Sequence, residues 1–351
     1  MSDYDAIRDL RLTVESESRE RRERDTSSGF TRTTTVVSLS GAGETGRGED
    51  VTYDTEDHDR LAAVGSRTPT GQFTFGEYSA ALDETTLFPE PPERESAHHY
   101  RRWAYESAAL DLLCRQHDTT LGELLGREPR PVRFVASARL SPAESDQPPT
   151  ADRVHALRDR LPDVQCKLDP TSEWTDELVA ELRATGAVVT LDLKGQYHGT
   201  LVDQEPDPAL YERVIEGFPD AVIEDPAVTP ETRDLLEPIT DRLAWDAPIT
   251  GVASCEALPF EPRWLNVKPS RFGTLQSLLE TVEWAEARDV TLYGGGQFEL
   301  DVGREQIQRL AALFYPDGPN DVAPGVFNDP ELHDDLPASP LQPSDARGFR
   351  F

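Results

Sequence analysis

Four short apolar runs between residues 164 and 268 constrain the fold most, because each run ends on an ionisable residue. The runs are VQCKLD, VTLDLK, AVIED and RLAWD, and LNVK follows them. Helix-like stretches separate the runs, so each is best interpreted as a parallel strand. In a (β/α)8 barrel the carboxyl ends of such strands converge on one mouth, where active sites lie. The sequence therefore predicts an α/β fold, a (β/α)8-type barrel with its chemistry at that mouth.

The length of the chain leaves room for a second domain. The sequence has 351 residues, whereas an α/β barrel alone takes about 250. Residues 9–15 and 33–40 alternate apolar and polar side chains, which predicts half-buried antiparallel strands, and residues 100–116 predict an amphipathic helix. We expect three parts: an N-terminal α+β capping domain over 1–127, the barrel over 128–328, and a C-terminal tail over 329–351. The tail is expected to wrap the surface or to be partly disordered.

A charged stretch lies between the two predicted N-terminal strands. Residues 15–30 lack periodicity, and most of the stretch is predicted to be a solvated loop. Its end, residues 27–32 with Phe30, is expected to fold over a ligand as a lid.

The barrel half alternates predicted strands and helices. After a loop predicted from the Pro-rich residues 142–153, Thr171 or Ser172 is expected to cap a helix that ends at Gly186. The next predicted strands are 187–193, 221–225, 242–246, 264–268 and 289–293, with a final strand near 320–325. The predicted helices among them are 208–217, 230–237, 274–287 and 303–314.

Three carboxylates occupy successive predicted strand ends: Asp192, Glu224 and Asp246. Facing one mouth, they would repel each other unless a cation lay among them. Ligand sets made only of oxygen favour a hard ion, Mg²⁺ first and Mn²⁺ next. Strand alternation points the neighbouring Asp225 away from Glu224, so we assign it no metal role.

The lysines fall at the same strand ends. Of the 35 Lys and Arg residues only three are lysines, Lys167, Lys194 and Lys268. Arginine keeps its proton near neutral pH, whereas a partly buried lysine can lose it. The placement therefore indicates proton transfer, or a compact ammonium group, at the barrel mouth.

Composition restricts the partners. The net charge of −31 argues against nucleic acid or an anionic membrane, and acid excess with scarce lysine resembles the surface of a protein from a high-salt cytoplasm. No leader pattern and no run of 18 apolar residues is present, so we expect a cytoplasmic protein, and a homo-oligomer. Three well-separated cysteines are expected to be buried and unpaired.

Several segments resemble motifs of the enolase superfamily, in its muconate-lactonizing and mandelate-racemase-like branches. GRGED resembles the GxGE segment of the capping domain, and YESAALDLL with LGELLG resembles its helices. YGGGQFELDVG resembles the seventh-strand segment. NVKPSRFG has Lys268 at the position of the sixth-strand lysine, with Gly273 after it.

The resemblance implies a cofactor and a reaction. It gives Asp192, Glu224 and Asp246 the metal positions on the third, fourth and fifth strands. Enolase-superfamily sites use a Lys or His base with Mg²⁺. The implied reaction is therefore removal of the proton α to the carboxylate of a small acid, through an enediolate, with Lys268 as the leading base. We expect an isomerase overall: a racemase, an epimerase or a cycloisomerase.

The chain departs from the family pattern at two positions. Asp169 replaces the second lysine of the usual KxK on the second strand. It shares a face with Lys167, so the two are expected to act as an acid/base pair or to bind each other. Lys194 stands where Asn is more common, and could hold the substrate carboxylate or act on a leaving group. Gln297 and Glu299 should reach the mouth, with Glu299 orienting Lys268 or a substrate hydroxyl.

Three alternatives remain open at this point. A sugar-acid dehydratase, which is a lyase, would use the same half-reaction. A lysine could instead form a Schiff base with a carbonyl substrate, as barrel aldolases do. The barrel could also bind a carboxylate without catalysis.

Overall fold

A computed structural model describes residues 2–140, 148–198, 200 and 202–351. The N-terminal part contains two small antiparallel sheets and five helices within these residues. Its elements, in chain order, are α1 (Asp5–Arg8), β1 (Arg11–Val14), β2 (Ser16–Asp25), β3 (Thr31–Gly41), β4 (Glu44–Asp50), α2 (Thr55–Ala62), β5 (Gly71–Thr74), α3 (Phe75–Asp83), α4 (Ser96–Gln116) and α5 (Leu121–Leu125). Strand order is β2-β3-β4 in one sheet and β1-β5 in the other.

The prediction of a solvated loop after residue 15 is wrong, because β2 is a ten-residue strand. It pairs with β3 over its whole length, from Ser16 opposite Ser40 to Asp25 opposite Thr31. Its side chains are exposed or half-exposed on both faces, so no apolar alternation marks it as a strand. Charged side chains on such an edge strand discourage pairing with other chains.

Helix α4 is buried on all sides, whereas the sequence predicted an amphipathic helix. It packs between the β2-β3-β4 sheet and the barrel. Two glycines of β4 permit the close approach, since a Cβ at Gly46 would lie 2.1 Å from the backbone nitrogen of Leu112, and one at Gly48 would lie 2.1 Å from the Ala104 oxygen. Polar residues on α4, such as Glu106, find partners inside the protein, which hides the burial from a sequence pattern.

The barrel part alternates strands and helices as predicted. Its elements are β6 (Ala136–Ala138), α6 (Asp152–Arg160), β7 (Cys166–Leu168), α7 (Asp176–Thr185), β8 (Val188–Asp192), α8 (Pro208–Gly217), β9 (Val222–Glu224), α9 (Pro230–Leu236), β10 (Leu243–Trp245), α10 (Val252–Glu256), β11 (Trp264–Val267), α11 (Pro269–Phe272), α12 (Leu275–Glu286), β12 (Thr291–Gly294) and α13 (Val302–Phe314), with 3-10 turns at Glu237–Arg242 and Gly325–Asn328. Neighbouring strands are parallel in the order β6 to β12. Part of the loop predicted over 142–153 lies outside the described residues.

The final strand predicted near 320–325 is not formed. Instead, Asn320 and Asp321 connect the first and last strands. The Val135 amide donates to the Asn320 oxygen (2.9 Å), and the Asp321 amide donates to the Gly294 oxygen (2.8 Å). Prolines at 319 and 324 flank this pair and cannot donate to a ladder. Closure therefore rests on single hydrogen bonds and on the Asn320 side chain, which accepts from the Gly294 amide (2.6 Å).

Helix ends follow capping chemistry. Helix α7 begins after Thr175, whose hydroxyl accepts from the Leu178 amide, rather than at the predicted Thr171 or Ser172. It ends at Gly186 in the left-handed conformation, as predicted.

The C-terminal tail runs back along both parts of the chain. Leu341 pairs with Val132, and Gly348 pairs with Thr120. Phe349 is fully buried beside Trp103. In the part of the chain that the structure describes, no helix has the length and apolar character needed to cross a membrane.

Candidate metal and proton-transfer site

The structure brings the three predicted metal ligands together. Asp192 ends β8, Glu224 ends β9 in register with it, and Asp246 follows β10. All three are fully buried, and one carboxylate oxygen from each lies within 4.8 Å of the others. Parallel strands of one sheet place these ends at one edge, as the sequence pattern predicted.

Lys167 lies beneath this group of carboxylates. Its Nζ is 3.1 Å from Asp192 Oδ2, pairs closely with Glu224 Oε1 and is 3.9 Å from Asp321 Oδ2. Burial disfavours the charged amine, but the charges of Glu224, Asp192 and Asp321 outweigh it and raise the pKa of Lys167 well above its ordinary value. Its side chain is only 2% exposed, and its amine is enclosed by these carboxylates.

Lys194 pairs with Asp169, which corrects the predicted pairing of Asp169 with Lys167. The Lys194 Nζ lies 3.7 Å from Asp169 Oδ1, contacts Asp192 Oδ2 and sits 4.9 Å from the centre of the Tyr197 ring. The backbone of Lys194 is left-handed, with φ 54°, which turns its side chain back over the strand ends. Burial, with the charge of Asp192 adding to it, raises the pKa of Asp169 despite the opposing charge of Lys194.

Lys268 stands on the other side of the carboxylates. Its Nζ lies 2.8 Å from Asp246 Oδ2, and Arg271 Nη1 lies 3.1 Å from Asp246 Oδ1. The Tyr197 hydroxyl donates to Asp246 Oδ2 (2.7 Å). Burial favours the neutral acid, yet Arg271 and Lys268 hold the pKa of Asp246 well below its ordinary range. The sequence analysis did not identify Arg271 or Tyr197, because no spacing relates them to the ligand.

Glu224 is held by groups on the later strands. The Tyr293 hydroxyl donates to its Oε2, and the Asn266 amide lies 3.3 Å from its Oε1. Burial is the main cause that raises the pKa of Glu224 to about 8. Alternation along β11 puts Asn266 on the same face as Lys268, so a signal for Asn266 was present in the sequence.

Asp225 fixes the direction of Asp246. Its carboxylate accepts from the backbone N–H groups of Asp246 and Ala247, each at 2.8 Å. Its own backbone is left-handed, with φ 49°. Burial, together with the charges of Asp246 and Asp192, raises the pKa of Asp225 to about 7. Asp225 thus lies outside the group of three carboxylates and binds the backbone of one of them.

The donor set fits a hard divalent cation. Six carboxylates and four cationic side chains make up the cluster, which leaves an excess of two negative charges when all are ionised. Within the cluster, the buried Asp246 Oδ1 accepts no hydrogen bond, although Arg271 Nη1 lies 3.1 Å away as an ion-pair partner. Oxygen ligands of this kind suit Mg²⁺ or Mn²⁺. Asp192, Glu224 and Asp246 are the residues that could hold the ion.

Gln297 and Glu299 lie in the loop after β12. Glu299 does not contact Lys268. Glu299 Oε1 accepts from the Gln297 amide (2.7 Å), and its Oε2 lies 3.3 Å from Arg304. These partners replace the predicted contact between Glu299 and Lys268. Gly295 packs there instead, since a Cβ on it would lie 2.7 Å from Lys268 Cε.

Phe30 lies on the hairpin loop between β2 and β3, next to the barrel. Its ring is 5.4 Å from that of Phe298, and it is 37% exposed. The Ser27 amide donates to the Asn328 oxygen (2.7 Å). The loop predicted as a lid therefore rests on barrel segments in this structure.

Family models identify the chain. A model described as the N-terminal domain of a domain of unknown function, DUF8230, matches residues 5–124, and the corresponding C-terminal model matches residues 128–329. The chain belongs to the DUF8230 family. No curated protein matches the sequence.

Solved structures show the same fold at low identity. A dipeptide epimerase from Enterococcus faecalis V583 is 14% identical, with a TM-score of 0.70 over 97% of this chain and 99% of that one. A dipeptide epimerase from Methylococcus capsulatus, complexed with Mg and the dipeptide L-Arg-D-Lys, is 19% identical, with a TM-score of 0.66 over 90% and 92%. Muconate lactonizing enzyme from Pseudomonas putida is 18% identical, with a TM-score of 0.60 over 88% of each chain. The DUF8230 chain thus has the enolase-superfamily fold, which confirms the fold class and the resemblance predicted from the sequence.

Proposed function

We propose that this chain is a Mg²⁺-dependent enzyme that removes the proton α to the carboxylate of a small acid, and that it is an isomerase overall. The observation that carries the proposal is the buried group of Asp192, Glu224 and Asp246, with oxygens within 4.8 Å of one another and lysine amines on both sides. Similar structures include epimerases and a lactonizing enzyme. Racemisation, epimerisation and cycloisomerisation all begin with this half-reaction.

Each ligand residue has a defined task in the proposal. Asp192, Glu224 and Asp246 hold the ion, and Asp225 keeps Asp246 aimed at it. When bound, the ion supplies positive charge that stabilises the negative charge developing on the substrate carboxylate. Lys167 and Tyr293 hold Glu224 from below, so little reorganisation is needed when substrate arrives.

Two of the lysines are placed to move the proton. The side chains of Lys194 and Lys268 are 12% and 7% exposed, against 2% for Lys167. They follow β8 and β11, with β9 and β10 between them. Lys268 takes the α proton in this proposal, and Lys194, backed by Asp169, serves the opposite face. Amines on both faces support a 1,1-proton transfer, and hence an isomerase.

Two alternatives have observations in their favour. The pairing of Lys194 with Asp169 would also suit an acid that protonates a leaving hydroxyl, which favours a sugar-acid dehydratase. A non-catalytic carboxylate-binding barrel is favoured by the amines already paired with all three ligand carboxylates. Such a barrel would bind substrate without exchanging its α proton.

Deuterium exchange separates these functions. Acid sugars, N-acyl amino acids and dipeptides would be incubated with the full chain, Mg²⁺ and high salt in heavy water, and exchange at the α carbon followed by proton NMR. We expect exchange with retention of the carbon skeleton and loss of exchange in Lys268→Ala, whose fold is checked by circular dichroism. Release of water with a keto product would identify a dehydratase, and absence of exchange across the panel would favour the binding barrel.

The surroundings of the enzyme are also part of the proposal. A net charge of −31 supports a protein that works in a concentrated salt solution, because salt screens the repulsion between its acids. We propose that it acts in such a cytoplasm, as a homo-oligomer.

A further inference from the structure

The capping domain contacts the barrel close to Lys268. On the capping side Tyr53 follows β4, and its hydroxyl donates to Gln297 Oε1 (2.9 Å) on the barrel side. Gln297 comes two residues after Gly295, the residue that packs on Lys268. Phe30 and Phe298, whose rings are in contact, lie beside the same barrel loop. This contact region, made by Tyr53, Gln297, Phe30 and Phe298, therefore lies close to Lys268 and contains groups that the α-proton step does not use.

Arg32 is a buried cation without a counter-ion in this contact region. It is 1% exposed, and its guanidinium carbon lies 4.3 Å from the centre of the Tyr53 ring. Two of its nitrogens donate to the backbone oxygens of Thr52 (2.8 Å) and Val51, while Nε has no acceptor. Within the described residues, no carboxylate forms an ion pair with it inside 4.0 Å. In a chain with 66 Asp and Glu residues, a buried arginine left without an acid is ready to receive an anion.

Gln297 supplies a second free donor, at the hydroxyl end of Tyr53. It is 3% exposed, and its Nε2 has no acceptor. Burial is the main cause that raises the pKa of Tyr53 to about 12, so the hydroxyl keeps its proton and donates to Gln297 Oε1. This bond commits the amide oxygen and leaves the NH₂ group free. Buried donors of this kind are costly unless an oxygen of a ligand binds them.

We propose that Arg32 and Gln297 bind a second carboxylate of the substrate, so that the substrate class is a dicarboxylic acid. This inference rests on the proposed function, because the first carboxylate is the one that binds at Asp192, Glu224 and Asp246. The aromatic pair Phe30 and Phe298 would cover the apolar carbons between the two carboxylates. The two charged ends of the substrate thus meet the ion at one end and the buried arginine at the other.

Calorimetric titration at high salt with Mg²⁺ tests the proposal without turnover. The probes are the straight-chain dicarboxylates from succinate to pimelate, each compared with the monocarboxylate of the same carbon number. At least one dicarboxylate is expected to bind about tenfold or more tightly than its matched monocarboxylate. Arg32→Met and Gln297→Leu should each bring that ratio close to one. Gln297→Leu gives a second route to the answer if Arg32→Met does not fold.

Arg94→Met is the matched control. Arg94 also lies over the Tyr53 ring, at 5.9 Å, but it is half-exposed and already paired with Asp54 at 3.2 Å. The Arg94→Met variant removes one positive charge near the same ring but leaves Arg32 in place. The ratio of dicarboxylate to monocarboxylate affinity should therefore stay at its original value. A change in the ratio as large as that caused by Arg32→Met would show that only general electrostatics are at work, and would overturn the proposal.

The remaining outcomes separate the second-carboxylate site from the proposed function. Equal binding of all matched pairs, or equal binding of a dicarboxylate and its monoamide, overturns the second-carboxylate site. If the probes bind equally but their binding requires Mg²⁺, and α exchange persists, the proposed function stands without the second-carboxylate site. Tight dicarboxylate binding that is independent of Mg²⁺, with no exchange, supports the site and counts against the proposed function. Failure of every probe to bind counts against both.

Discussion

Replacing Asp225 with Asn tests how the ligand carboxylates are held in place. The Asp225 carboxylate accepts two backbone N–H groups, from Asp246 and Ala247, each at 2.8 Å in a fully buried setting. Asn has one acceptor oxygen and would turn an NH₂ group toward the other donor. Because a hydrogen bond to a charged group contributes about 1.5 to 3 kcal/mol, we expect the free energy of unfolding to fall by about that amount at saturating Mg²⁺, where the charge of the ion offsets the repulsion of Asp225 by Asp192 and Asp246. Asn tolerates the left-handed backbone at this position, so little strain is added.

The same replacement should weaken Mg²⁺ binding, because Asp246 loses its fixed direction. We expect about a tenfold loss of affinity, or about 1.4 kcal/mol, in a calorimetric titration run beside urea unfolding. Asp220→Asn makes the same charge change at an exposed site just before β9, and should leave both measurements unchanged. If Asp225→Asn bound Mg²⁺ as tightly as the original chain while losing stability, the role assigned to Asp225 in aiming Asp246 would be refuted.

Three further predictions concern charge, two of them buried charge and the third the charge of the surface. Lys167→Met should lower the unfolding free energy in chelator by about 3 to 5 kcal/mol, because it leaves buried carboxylates uncompensated, and Mg²⁺ should stabilise this variant more than the original chain in denaturant titrations. Burial favours neutral Asp50, yet Arg101 and His58 hold its pKa at about 2; stability from this carboxylate is present above pH of about 4 and lost as the pH falls toward 2, so Asp50→Asn should flatten that part of the acid unfolding curve. Raising the KCl concentration from about 0.1 M to about 1 M shortens the screening length and should raise the melting temperature of the protein. A lower melting temperature on adding KCl would contradict the proposal that the acidic surface is suited to high salt.

The positions of the acids and lysines at the strand ends could be predicted from the sequence, because two simple rules apply. Parallel strands in a barrel end at one mouth, and short apolar runs mark the strands clearly enough to locate those ends. Asp192, Glu224 and Asp246 therefore come together as expected. The same rules placed Lys167, Lys194 and Lys268 beside them.

Residues that act through contacts across the fold could not be predicted. Arg271, on helix α11, and Asp225, just after β9, reach Asp246 from different segments, and no local pattern fixes the direction of either side chain. The left-handed backbone of Lys194 carries its amine to Asp169, which strand alternation alone had paired with Lys167. Strand β2 escaped prediction because hydrogen bonds to β3, rather than apolar side chains, define it.

Binding of Mn²⁺, followed by electron paramagnetic resonance at high salt, tests the central claim most directly. The account predicts one Mn²⁺ site per chain that Mg²⁺ displaces and that Glu224→Gln removes, with the variant still folded. A chain that binds no Mn²⁺, or a Glu224→Gln variant that binds it as tightly as the original protein, would contradict the account.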